Sequence, residues 1–299
     1  MQTQDAIVAH LTRAIGLRLS DAESARLKRT PPANPDDEDL ALQCQAGADK
    51  AGWVGKEADA AYALCDQALA IDPDNVRGLM VLGVKFLLPA ALGMSADPKN
   101  ELERADQLES KALALDPDWS WPHVVKANIL RHQGRAQEAV VEYERALALD
   151  PSNGDAAGQL GIDYQFLGEF NKSLEYLDQA IRQSPYDPVV AYWYGNKAQA
   201  NFALKRYDQA IDLARQAIAV KTDYNQFSHL ILVAALALND RNAEAREALS
   251  RYLALPSTGP LKTIAEWKAH QTSLSGDARF VEMSERTYDG LRKAGLPEE

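Results

Sequence analysis

Apolar residues recur along this chain at three- and four-residue intervals, with charged and amide residues between them. Leu, Ala, Glu, Arg, Lys and Gln dominate. These are strong helix formers, and no stretch keeps the two-residue alternation of a half-buried strand. The pattern predicts an all-α protein. The helices end on a recurring phrase: Gln67-Ala68-Leu69-Ala70-Ile71-Asp72-Pro73, Lys111-Ala112-Leu113-Ala114-Leu115-Asp116-Pro117, Arg145-Ala146-Leu147-Ala148-Leu149-Asp150-Pro151 and the weaker Gln179-Ala180-Ile181-Arg182-Gln183-Ser184-Pro185. From Pro117 to Pro151 and from Pro151 to Pro185 the interval is 34 residues, the length of one stacked helix-turn-helix unit. An array of such units grows in one dimension, so 299 residues need no second core.

Two antiparallel helices that cross closely need small residues at the crossing and large apolar ones around it. Leu160-Gly161, Tyr164, Gly168, Phe170, Ala180 and Pro185 meet that need at fixed offsets, as do Ala127, Gly134, Ala139, Tyr143, Ala146 and Pro151 one unit earlier. This arrangement resembles the tetratricopeptide repeat family. The resemblance implies a right-handed superhelical solenoid of about six units with capping helices. Ser173 stands where a crossing Ala is usual, and His123 and Lys126 where large apolar residues are usual. Upstream, Leu79, Leu82-Gly83, Phe86, Ala105 and Ala112 define a unit with ten extra residues, Pro89 to Pro98, read as an extended turn or a longer first helix with a loop. Ala61, Cys65, Ala68 and Pro73 mark a first unit. Ala198, Tyr207, Ala210 and Ala217 mark a fifth, and Leu232, Leu236, Ala245 and Leu249 a sixth.

The layout expected is residues 1–34 as an N-terminal helix and linker, 35–258 as the array and 259–299 as C-terminal capping helices. Ile7, Leu11 and Ile15 share one face of the first helix, and Lys28 to Pro35 read as linker. Pro256-Ser257-Thr258-Gly259-Pro260 breaks the chain before two last helices. There Trp267, Phe280, Met283 and Leu291 have the spacing of a packed face. Gly16-Leu17-Arg18-Leu19, the Asn34-Pro35 linker and the tail Gly290-Leu291-Arg292-Lys293 also resemble the C-terminal part of bacterial nucleotide cyclases and related multidomain regulators. That resemblance implies the alternative of a regulatory or oligomerisation segment.

A net charge of −11 argues against nucleic acid as partner, since phosphate neutralisation needs a basic face. Leu79 to Met94 is interrupted by Lys85 and Pro89 and is too short to insert in a membrane. Met1-Gln2-Thr3-Gln4 opens no secretory signal, so the cytoplasm is the expected location. Cys44 and Cys65 fall on the two helices of one hairpin. A bridge is geometrically conceivable, and buried free thiols in a reducing cytosol are expected.

Little chemistry is legible. The five His residues lack metal-ligand spacing, and Gly52-Trp53-Val54-Gly55-Lys56-Glu57 lacks the spacing and hydroxyl of a phosphate loop. Asp72, Asp116 and Asp150 recur with the repeat, which assigns them to turns rather than catalysis. No enzyme activity, cofactor or metal is expected. The family resemblance implies that first helices line a groove, and its offsets place there Trp121, Val124, Asn128, Arg131 and His132, then Gln159, Ile162, Gln165 and Phe166, then Tyr192, Asn196, Gln199 and Phe202. Amides would pair with the backbone of a bound peptide or protein segment and aromatics would hold its side chains. Arg131 would suit an acidic group. Self-association is compatible with the same surface.

Overall fold

Helix formers run between the Pro- and Asp-marked breaks, and there a computed structural model describing residues 36–187, 189–221, 226–255, 261–272 and 274–299 places fourteen helices. They are α1 (Asp37–Ala51), α2 (Lys56–Ile71), α3 (Val76–Ala91), α4 (Pro98–Leu115), α5 (Ser120–His132), α6 (Ala136–Leu149), α7 (Gly154–Phe166), α8 (Phe170–Gln183), α9 (Val190–Ala203), α10 (Tyr207–Val220), α11 (Gln226–Leu238), α12 (Asn242–Leu253), α13 (Ile264–Thr272) and α14 (Ala278–Ala294). No strand occurs among the described residues. The first twelve pair as antiparallel hairpins, α1 with α2 through α11 with α12. The helix read at Thr3–Ile15, the Lys28–Pro35 linker and the Pro256–Pro260 break lie outside the described residues.

Two local devices close the hairpins. Between them, Asp72, Asp116 and Asp150 accept the amides of Asp74, Asp118 and Ser152 at 2.9, 3.2 and 3.0 Å, so the recurring acids are turn residues as expected. Within four of them, one left-handed residue ends the first helix: Gly134, Gly168, Lys205 and Asp240, with φ of 77, 67, 61 and 57°. The next amide then reaches back five residues, as from Arg135 to Leu130 and from Glu169 to Tyr164.

The contacts divide into two units, one ending at Ser152 and one beginning at Asn153. In the first, three hairpins stack, with α3 against both α1 and α2, and α5 against α3 and α4. Ala68, Ala112 and Ala146 are fully buried at the helix crossings. The extra residues at 89–98 resolve as a longer first helix and a loop: α3 continues through Pro89 to Ala91, and Pro98 opens α4 behind its Asp97 cap. Cys44 and Cys65, expected as free thiols, are instead joined as a disulfide across α1 and α2, with Cα atoms 5.5 Å apart. The crossing of α1 and α2 brings the two residues this close, which puts both sulfurs within bonding reach. The cysteines therefore give no support to a reducing compartment.

In the second unit α7/α8, α9/α10 and α11/α12 stack in turn. α14 packs most extensively on α11 and also touches α9, α12 and α13. Trp267, Phe280, Met283 and Leu291, all expected on a packed face, are at most 1% exposed and join one core with Phe202, Ile211 and Leu230. The chain end ties α13 down, with Pro297 and Glu298 carbonyls accepting the amides of Ile264 and Ala265.

One core position breaks the rule. Where Tyr143 and Leu177 fill the later hairpins, α4 carries Glu109, fully buried and with neither carboxylate oxygen bonded. It fits because residue 83 is glycine: a Cβ there would stand 2.1 Å from Glu109 Oε1. Burial lifts this carboxyl well above the usual range, and Lys126 only partly opposes that. A folded-state pKa above the unfolded one gives stability that is full below the unfolded value and is lost as pH rises through the folded value. Glu109→Met is expected to stabilise the protein at pH 8 by about 1–3 kcal/mol, by removing an unsatisfied buried polar group. Unchanged denaturant midpoints at pH 8 would contradict this. Conversely, Ala146→Leu or Ala180→Leu should cost about 1–3 kcal/mol through overpacking at a crossing, read as a lowered melting temperature.

Candidate peptide-binding surface

Trp121, Val124, Asn128, Arg131 and His132 are spaced so that all lie along one face of α5. Val124 is buried in the stack, while Trp121 is 42% exposed and His132 is exposed. Asn128 donates its Nδ2 to the Val124 carbonyl one turn back at 3.0 Å. The Arg131 guanidinium lies over the Tyr143 ring, 5.3 Å from its centroid, and donates to the Tyr143 hydroxyl at 2.9 Å. It is thus oriented by α6. Arg77 takes the same first-turn place on α3 that Trp121 has on α5. It bonds Glu38 and Gln45 of α1 and stacks on Trp119 at 5.1 Å.

The first turn of α5 has no side-chain cap, and His123 fixes it instead. Its Nε2 faces the Pro117 carbonyl at 3.0 Å and its Nδ1 the Glu142 carboxylate at 2.6 Å. A carbonyl only accepts, and so does a carboxylate, so both ring nitrogens are served best by the imidazolium. Burial alone would lower this histidine's pKa, but the bonds to Glu142 and Pro117 outweigh it together with the repulsion of Arg145, and the net shift is upward. The other sequence outlier, Lys126, bonds Asp106 and Ser110 of α4 at 2.7 and 2.8 Å.

In the second unit the corresponding face is largely turned inward. Gln159 is half-buried and Ile162 is buried. Gln165, 1% exposed, donates to the Asn196 carbonyl at 3.2 Å, and its Oε1 has no partner. Asn196 bonds the Tyr192 carbonyl at 2.9 Å, and the half-buried Tyr192 ring leans on Trp193. Phe166 meets Phe280 of α14 edge-on at 5.6 Å, and Gln199 points its Nε2 at Met283 Sδ, 3.9 Å away. Phe202 is fully buried beside Tyr207. Three of the residues placed in the groove by family offsets therefore lie in a core shared with α14. Sequence reading assigned α14 to packing and missed its polar contacts. The signal available was the seven-residue spacing of Arg279, Arg286 and Lys293.

Models of the tetratricopeptide repeat family match residues 122–153 and 153–223, which span nearly all of α5 through α10. Those residues are tetratricopeptide repeats. The DnaJ homolog subfamily C member 7 homolog of Schizosaccharomyces pombe is 24% identical over 139 residues, 42% of this chain and 29% of that protein. The protein STIP1 homolog of Dictyostelium discoideum is 32% identical over 103 residues, 34% of this chain and 16% of that one. The chain thus spans less than a third of the length of these curated relatives. Among solved structures, PilW, a type IV pilus biogenesis factor, aligns with a TM-score of 0.61 at 17% identity, over 76% of this chain and 97% of its own. The human IFIT1 dimer with m7Gppp-AAAA aligns with a TM-score of 0.60 at 17% identity, over 97% of this chain and 67% of that one. These two likenesses show the fold.

His123 gives a pH test of the α5 turn. Its contribution is full below the unfolded histidine value of about 6.5 and is lost as pH rises through the raised folded value. His123→Gln is expected to flatten the loss of stability between pH 5.5 and 8.5 seen in urea melts. An unaltered slope would mean that the imidazolium does not hold this turn.

Proposed function

We propose that the chain is a non-enzymatic scaffold that binds a peptide or protein segment along the inner face of its first helices, with α5 supplying the anchor. The observation that carries this reading is Trp121, a large aromatic left 42% exposed on a helix whose other apolar side chains are buried. Tryptophan and arginine are enriched among the residues that carry the binding energy of interfaces. Arg131 and Asn128 stand on the same face, one for an acidic group and one for backbone pairing. The second unit, taken by itself, offers Gln159 and Tyr192 on its own first helices, while Asn196 is buried and Phe166, Gln199 and Phe202 contribute only where α14 gives way.

A peptide suits the chain better than RNA, because a net charge of −11 repels phosphate. The Cys44–Cys65 bond favours residence in an oxidising compartment over the cytoplasm. The regulator-like tail motif has a packing explanation: Gly290 lies flush on Ala234 of α11, and Leu291 is fully buried.

Peptides selected from a display library on the full chain are expected to lose about tenfold in affinity, near 1.4 kcal/mol, on Trp121→Ala, and less on Asn128→Ala. Calorimetry with the selected peptides checks this. Equal binding by the Trp121→Ala variant would remove α5 as the anchor.

A further inference from the structure

The C-terminal helix carries a register of its own. Arg279 donates to the Leu167 carbonyl and to Glu169 at the end of α7, at 2.8 and 2.9 Å. Seven residues on, Arg286 reaches the Phe202 and Ala203 carbonyls at the end of α9, at 3.4 and 2.9 Å. After seven more, Lys293 bonds Asp240 in the turn that ends α11, at 2.7 Å. The C-terminal end of a helix carries partial negative charge and unpaired carbonyls, so Arg279 and Arg286 meet sites made by the backbone, while Lys293 meets the Asp240 carboxylate in the turn that follows α11. Seven residues of α-helix rise about 10.5 Å. Packed neighbouring helices lie roughly 8–10 Å apart, so successive cations fall on successive first helices.

Between the cations, α14 turns an apolar face to the same elements. Phe280 meets Phe166, Met283 meets Gln199, and Gly290 lets the helix lie flush on α11, where a Cβ would stand 2.7 Å from the Ala234 carbonyl oxygen. The polar fit beneath it is imperfect. Gln199 is 8% exposed, and its amide faces a thioether, a weak acceptor. The middle cation, Arg286, is 16% exposed, but the two outer ones have 54% of the Arg279 and 40% of the Lys293 side chain open to solvent. Ion pairs this exposed contribute little.

We propose that the inner face of the second unit is a seat for an amphipathic helix with a cation every seven residues, that α14 is its resident occupant, and that a partner helix of the same spacing displaces it. This deepens the reading of the first helices as a binding surface and names the ligand class for one part of it. The preferred partner carries an oxygen acceptor where α14 has Met283, so that Gln199 is satisfied.

The test uses the full chain and a labelled synthetic peptide with the sequence of Ser275–Pro297 and the change Met283→Gln. A control peptide has the same composition with its three cations moved two positions along. The in-register peptide is expected to bind about tenfold more tightly than the control. Native-state hydrogen exchange should show α14 amides exchanging through an opening of lower free energy than α9 and α11, and faster still when the peptide is added. Equal affinity for the two peptides, or α14 amides that exchange only with global unfolding, overturns the proposal. The Trp121→Ala variant should bind the in-register peptide as the parent does, so failure here is distinguishable from failure of the α5 anchor.

Discussion

The close crossing of two helices in each hairpin is the constraint from which the rest follows. Ala68, Ala112, Ala146 and Ala180 are fully buried at these crossings, and Ala217 is nearly so. Where glycine takes part, the neighbour fills the vacated volume. Added Cβ atoms at 158 and 161 would stand 2.6 Å from the Trp193 ring and 2.9 Å from Leu177. Interiors are packed so densely that a single methylene is felt, which is why the small residues recur with the period while the large ones vary. Because each hairpin contacts mainly its neighbours, a defect in one copy stays local. Glu109 and Ser173, buried with unbonded oxygens, are tolerated on those terms.

That geometry also decides what can lie across the hairpins. In the second unit the ends of α7 and α9 offer α14 their carbonyls and the turn after α11 offers the Asp240 carboxylate, a ladder of negative charge. A helix laid over such a ladder needs cations at a matching rise, and the seven-residue spacing of Arg279, Arg286 and Lys293 supplies it. The Asp277 cap accepts the amides of Arg279 and Phe280 and so starts α14 at the place that brings the first cation to α7. Placement of this helix follows from electrostatic register and from Gly290, with apolar burial supplying the bulk of the attraction.

What the sequence showed and what it hid divide along this line between local and tertiary causes. The period, the Asp-Pro turns, the crossing alanines and the packed role of Trp267 and Phe280 were legible, because each is set within one hairpin and then repeated. Family offsets assigned Gln199 and Phe202 to a groove, yet could not show that a helix 84 residues later in the chain covers them. The spacing of Cys44 and Cys65 put them on paired helices, but their bonding depended on the rotation of each helix about its axis. Family offsets singled out Trp121, but its exposure depended on the neighbours around α5.

The two units couple to protons through different groups. In the first, His132, held down to about 4 by desolvation and by Arg131, costs stability as pH falls through the ordinary histidine range, whereas Glu109 and His123 have raised pKa values and favour the folded state as pH falls toward their unfolded values. Glu138, held low by its bond to Arg135, opposes this only weakly, because the pair is exposed. In the second unit, Asp240, Glu244 and Asp277 are held below their usual range. Lys293 does this for Asp240 and Arg241 for Glu244, while for Asp277 the backbone amides and side chain of Arg279 outweigh burial. Their contribution is present above the unfolded carboxylate values and is lost as pH falls through the folded ones. Two of these three acids, Asp240 and Asp277, are the ones that position α14. Acid neutralises Asp240 and Asp277, but neither is buried, so what they lend α14 is small beside its buried apolar face, and the helix owes them its register more than its hold.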